Sequence, residues 1–106
     1  MVLVTSVYKS TRKFPKEELF GLTSQIRRCS ISIPSNIAEG YGRGYDAEFI
    51  RFLNIATGSL FELQTQLEIA YNIDYLEQST FKSLHDDTRE LEIMLVSFTN
   101  KIKERC

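Results

Sequence analysis

The strongest constraint on the fold is a row of apolar residues that recurs at alternating steps of four and three in the middle of the chain. Its members are Phe49, Leu53, Ala56, Leu60, Leu63, Leu67 and Ala70. This spacing places all of these side chains on one face of an α-helix. Sustained over three heptads, it is typical of a helix that packs against other helices. The sequence therefore predicts a helical bundle.

Similar apolar rows occur in the rest of the chain and predict three more helices. The first row contains Phe81, Leu84, Thr88, Leu91, Leu95, Phe98 and Ile102. The second contains Leu19, Leu22, Ile26, Cys29, Ile33, Asn36 or Ile37, and Gly40, and the third contains Val4, Val7, Thr11 and Phe14. Proline and glycine positions then predict helices over residues 2–13, 16–41, 45–73 and 78–104. Short connections make neighbouring helices antiparallel. The predicted fold is one all-α domain over residues 1–106, an up-down-up-down four-helix bundle with a shortened first helix.

Pro34 lies inside the second predicted helix. A proline in a helix interior removes one backbone hydrogen bond and clashes with the preceding turn. We therefore expect a kink or a short break near Ile31–Ile33. Ser32 and Ser35 are expected to satisfy the backbone groups that Pro34 leaves free.

The chemistry-bearing residues are too few for the common catalytic templates. The chain of 106 residues has one histidine, His85, and two cysteines, Cys29 and Cys106, without metal-ligand spacing. It contains no P-loop, zinc-protease or nucleophile-elbow motif. We predict a protein that is not an enzyme and has no metal or cofactor. No apolar run is long enough to cross a membrane and no secretory signal is readable, so a cytoplasmic location is predicted.

A polar cluster borders the predicted core. Asn36 and Glu39 lie one turn apart on the second helix, and Glu62 belongs to a polar stripe that flanks the apolar row of the third helix. Buried polar groups need partners, so a structural polar network is the preferred interpretation. A small-ligand site around these residues is the alternative.

Charge is distributed unevenly along the chain. Residues 1–51 carry a net charge of +3 and residues 52–106 a net charge of −4, which gives −1 overall. The basic residues of the first half are Lys9, Arg12, Lys13, Lys16, Arg27, Arg28, Arg43 and Arg51. They are candidate nucleic-acid-binding residues, with Tyr8, Tyr41 and Tyr45 as aromatic groups that could stack on bases. Because a net charge of +3 is small, the preferred interpretation of the charge pattern is a solvated face, or basic helices that meet acidic ones in an oligomer.

A second apolar face predicts self-association. Its members lie off the main apolar rows and are Phe20, Ile50, Phe52, Ile55, Phe61, Ile69 and Tyr71. A helix that is apolar on two faces must be buried on both. We therefore expect a homo-oligomer with Phe52, Ile55 and Ile69 at the subunit interface.

Several segments resemble a known family. They are FPKEELFGLTSQIRRC (residues 14–29), SIPSNIAEGYGR (residues 32–43), FIRFL (residues 49–53) and AxGSLxEL (residues 56–63). They are similar to a bacterial family of four-helix-bundle proteins, first noticed as reading frames in intervening sequences of 23S ribosomal RNA genes. That family is in turn similar to the accessory protein of diversity-generating retroelements. The resemblance implies a homopentamer, with binding of nucleic acid or reverse transcriptase in the retroelement branch.

Two functions follow from these observations. The first is a non-enzymatic oligomeric scaffold or adaptor that binds RNA, DNA or a nucleic-acid-processing partner such as a reverse transcriptase. The alternative is a purely protein-binding or structural module with no role in nucleic-acid binding.

Overall fold

A computed structural model of the protein describes residues 2–105 and shows four α-helices. They are α1 (Val2–Thr11), α2 (Leu22–Gly42), α3 (Asp46–Asn72) and α4 (Gln78–Glu104), with a short 3-10 turn, Lys16–Glu18, before α2. Helix α1 packs on α2 and α4, α2 packs on α3, and α3 packs on α4. The bundle measures 46 × 23 × 19 Å. The prediction of an all-α four-helix bundle is confirmed. Cys106 lies outside the described residues.

The apolar row of α3 forms the centre of the core. All of its members are buried except Phe49, whose ring packs edge-on between Tyr41 and Phe98 at centroid distances of 6.0 and 5.6 Å. In α4 the predicted row is wrong near its end, because Phe98 is exposed and Thr99 is buried. A straight α-helix drifts relative to a strict seven-residue repeat, and this drift brings Thr99 into the core.

Helix α2 starts later than predicted. The chain forms the 3-10 turn over Lys16–Glu18 and enters α2 only at Leu22, after a non-helical Gly21 with φ −111° and ψ −115°. Glu18 accepts a hydrogen bond of 3.0 Å from the Tyr75 hydroxyl, which ties this turn to the connection between α3 and α4. Leu19 is therefore exposed and does not belong to the apolar face of α2.

Helix α2 continues without interruption through Pro34, from Leu22 to Gly42. Of the two predicted possibilities near Ile31–Ile33, a kink or a short break, the break is therefore absent. The hydroxyl of Ser32 forms a hydrogen bond of 2.7 Å with Ser59 of α3. It therefore connects the two helices, whereas the sequence predicted that it would satisfy a backbone group left free by Pro34.

Near its end α2 approaches α3 closely. A Cβ atom at Gly40 would lie 2.6 Å from the Cβ of Phe52. Phe52 is only 8% exposed, and the guanidinium groups of Arg43 and Arg51 lie over its ring at 5.1 and 4.5 Å from the centroid. The prediction of Phe52 as an oligomer-interface residue is therefore wrong. The missing side chain of Gly40 lets the ring pack within its own chain.

Helix α1 is short and rests on the other helices through Leu3, Val7 and Thr11, which are buried. Arg27 of α2 donates a hydrogen bond of 2.9 Å from Nε to Thr11 Oγ1, and its guanidinium lies 4.8 Å from the centroid of the Tyr8 ring. Arg27 thus fastens α1 to α2. None of the described helices is long and apolar enough to span a membrane.

Candidate interaction surface along α2 and α3

A polar groove of about 290 Å³ runs between α2 and α3 on the side away from the core. Most of its lining residues are three or four apart on each helix, so that they share one face of that helix. They are Gln25, Arg28, Cys29, Ser32, Ser59, Glu62 and Gln66.

Hydrogen bonds join the two walls of the groove. Ser32 Oγ and Ser59 Oγ lie 2.7 Å apart. Asn36 donates from Nδ2 to the carbonyl oxygen of Ser32 at 2.8 Å and to Ser32 Oγ at 2.9 Å. Asn36 is thus linked through Ser32 to Ser59 of α3.

Glu39 does not join this network. Its carboxylate forms an exposed ion pair of 2.9 Å with Arg43, four residues further along α2. The grouping of Glu39 with Asn36 and Glu62 is therefore wrong, because a local partner holds Glu39 on the surface.

The charge of Glu62 acts on Cys29. The Cys29 thiol donates a weak hydrogen bond to Glu62 Oε2, with 3.6 Å between sulfur and oxygen. Burial, followed by the charge of Glu62 and this hydrogen bond, raises the pKa of the Cys29 thiol above its ordinary value. A hydrogen bond from Gln66 and the charge of Arg28 oppose that shift. The thiol stays protonated near neutral pH and is a poor nucleophile.

The two charged residues of the groove are unpaired. Within residues 2–105, neither the Arg28 guanidinium nor the Glu62 carboxylate takes part in any of the ion pairs shorter than 4.0 Å. In addition, Gln66 Oε1 is buried and has no hydrogen-bond partner in that part of the chain. The groove therefore combines an unpaired cation, an unpaired anion and an unused acceptor.

Exposed isoleucines lie on the same side of α3 as Glu62. Ile55 precedes Glu62 by seven residues and Ile69 follows it by seven, and their side chains are 41% and 45% exposed. Residues seven apart share a helix face. We call Ile55, Glu62 and Ile69 the outer stripe of α3. Two of the three predicted interface residues, Ile55 and Ile69, are therefore exposed on the surface of the chain.

The predicted basic residues do not form one surface. Arg43 and Arg51 lie at the end of the bundle where α2 meets α3, and each holds a carboxylate, of Glu39 and Glu48, at 2.9 and 2.8 Å. Arg27 is engaged with α1, as described above. The bundle is 46 Å long, which separates these arginines from the lysines at the other end.

At that other end Lys9 and Lys13 line a cleft of about 640 Å³, together with Asp74 and Glu77 of the α3–α4 connection. Arg12 and Lys16 are exposed nearby in the chain. Acidic and basic groups thus share the cleft, and this end is less positive than the sequence of α1 suggests.

Sequence reasoning missed the way in which small residues link the polar stripes. On α3, Ser59, Glu62 and Gln66 follow one another at steps of three and four. The same steps relate Gln25, Cys29 and Ser32 on α2. This second helical period was the signal that could have predicted the groove.

The family model described as 23S rRNA-intervening sequence protein matches residues 1–97. The chain belongs to this family. Among solved structures, this member of the 23S rRNA-intervening sequence protein family is similar to a protein of unknown function from the S23 ribosomal protein family of Bacteroides thetaiotaomicron. The two chains are 28% identical with a TM-score of 0.82, and the match covers 92% of this chain and 88% of the other. No curated protein matches the chain.

Proposed function

We propose that the protein is a non-enzymatic bundle that self-associates into a closed homo-oligomer and acts as a scaffold. The observation that carries this proposal is the outer stripe of α3, in which Ile55 and Ile69 are 41% and 45% exposed. The inner face of α3 is already buried in its own chain. A helix with apolar residues on a second face is stabilised when that face is also removed from water.

Other exposed apolar residues support the same conclusion. Phe61 of α3, Ile73 directly after α3 and Ile93 of α4 are also exposed. Burial of such side chains contributes about 1.5–3 kcal/mol each, so a contact that covers several of them has a substantial driving force. The family resemblance supports a ring of five copies.

Two observations support a non-enzymatic role. The only histidine, His85, packs its ring against Phe81 at a centroid distance of 5.4 Å. The Cys29 thiol has a raised pKa and is a poor nucleophile. His85 and Cys29 are thus both held in contacts typical of structural residues.

Substitution of Ile55 tests the proposal. Light scattering of the wild-type chain at micromolar concentration should give a multiple of 12.3 kDa, and Ile55→Glu should shift the mass toward that of the monomer. Asn54→Glu is the control, because Asn54 is exposed on a different face of the same helix turn. Circular dichroism should show equal helicity in all three proteins. A wild-type mass of 12.3 kDa would overturn the proposal.

A second candidate function is binding of RNA, DNA or an enzyme that acts on them through the Lys9–Lys16 end of the bundle. The cleft of about 640 Å³ beside Lys9 and Lys13 favours it. If these lysines contact phosphates, the logarithm of the affinity for labelled RNA should fall linearly with the logarithm of the salt concentration. Lys9→Ala with Lys13→Ala should reduce that slope by about 2. An unchanged slope would argue against this candidate.

A further inference from the structure

We propose that Arg28 of one copy pairs with Glu62 of the neighbouring copy, and that this pair determines which faces of α2 and α3 meet in the assembly. The inference rests on the self-association proposed above. It identifies the partner of the outer stripe as the groove side of α2 in a second chain.

Glu62 would be buried by a contact that covers the outer stripe. Glu62 lies midway between Ile55 and Ile69 in the outer stripe, seven residues from each. A contact that buries both isoleucines also removes the Glu62 carboxylate from water. A carboxylate in such surroundings is strongly destabilising unless a cation or several donors pair with it.

Glu62 forms no ion pair in the described part of its own chain, although Arg28 lines the same groove. Within residues 2–105 its carboxylate accepts the weak hydrogen bond of the Cys29 thiol at 3.6 Å. An S–H group does not compensate a carboxylate charge. Arg28 of the same chain does not reach Glu62 within 4.0 Å, so the cation proposed for Glu62 is Arg28 of the neighbouring copy.

Arg28 offers the cation that such a contact needs. The other two arginines near the α2–α3 contact, Arg43 and Arg51, each hold a carboxylate of the same chain at 2.9 and 2.8 Å. Arg28 is exposed and, in the described part of the chain, pairs with no carboxylate. Its guanidinium offers five donors in a planar fork that fits a carboxylate. The groove side of α2 thus presents the cation that the outer stripe of α3 lacks.

Charge reversal tests this pair. Arg28→Glu and Glu62→Arg each place like charges at the interface, so each variant alone should dissociate at a concentration at least about tenfold higher than the wild type. An equimolar mixture of the two variants should recover much of the lost association, because opposite charges then meet wherever unlike copies are neighbours. Sedimentation of one fluorescently labelled variant at increasing concentrations of the other measures this recovery.

The mixture separates a contact between copies from a contact within one chain. If Arg28 and Glu62 only interacted within one chain, the mixture would assemble no better than either variant alone, and the inference would be overturned. Assembly of either single variant with wild-type affinity would also overturn it. In both cases the wild type still assembles, whereas failure of the underlying proposal would leave the wild type itself monomeric. Both positions are exposed in the chain, and circular dichroism checks that the variants fold.

Discussion

Gly40 lies at a close approach of α2 and α3. A Cβ atom there would lie 2.6 Å from the Cβ of Phe52, 3.1 Å from Cδ1 of Phe49 and 3.4 Å from the Cα of Phe49. Since the Cβ of Phe52 is bonded directly to the α3 backbone and cannot move aside by a side-chain rotation, a side chain at position 40 can be accommodated only if the helices separate. Glycine is required here for packing.

Gly40→Ala should therefore lower the free energy of unfolding by about 1–3 kcal/mol. Gly58→Ala is the matched control, because nothing lies within 4 Å of a Cβ atom at that helical position. It should raise the free energy of unfolding by about 0.5–1 kcal/mol, since alanine favours a helix more than glycine does. Urea denaturation measures both. Equal effects of the two substitutions would contradict this account of the α2–α3 contact.

The Cys29 thiol reports the charges of the groove. The negative charge of Glu62 raises its pKa and the positive charge of Arg28 lowers it. Glu62→Gln should thus lower the pKa of Cys29, and Arg28→Gln should raise it further. The alkylation rate of a Cys106→Ser chain as a function of pH gives the midpoint directly, because only the thiolate reacts. Shifts of the same sign in the two variants would refute this arrangement of charges.

Among the elements, α1 depends most on a single side chain. It has ten residues, and Arg27 of α2 holds it through the hydrogen bond to Thr11 and the contact with the Tyr8 ring. A short helix is marginal without tertiary contacts, so α1 is expected to open locally before the rest of the bundle.

Arg27→Ala should weaken this attachment by about 1–2 kcal/mol. Hydrogen exchange should become faster for the amides of residues 5–11 and stay unchanged in the centre of α3. Arg12→Ala, which removes an exposed arginine beside α1, should leave exchange in α1 as in the wild type. Faster exchange throughout the bundle would instead show that Arg27 stabilises the whole fold.

For the whole molecule, the sequence predicted those features that follow from the period of the α-helix, namely the helices and their buried faces. The burial of the α3 row and the bounds of α4 follow from the spacing of apolar residues, which a long helix in a bundle repeats many times. The fate of Phe52 could not be predicted in this way, since its burial depends on the close approach of Gly40 from another helix. The start of α2 depends on the conformation of one glycine, Gly21, which the spacing of apolar residues does not show. The position of the Glu39 side chain depends on which nearby group it pairs with, and the spacing does not show this either.

The order in which the helices pack also bears on how fast the chain folds. Each helix contacts the next one along the chain, and among the described helices α1 and α4 are the one contacting pair that is distant in sequence. Loop closure then costs little entropy at each step, because the connections are short. Domains with such local topology fold in microseconds to milliseconds. The hairpin of α2 and α3 has the largest interface and a three-residue connection, so it is the natural folding nucleus, onto which α4 and finally α1 can dock.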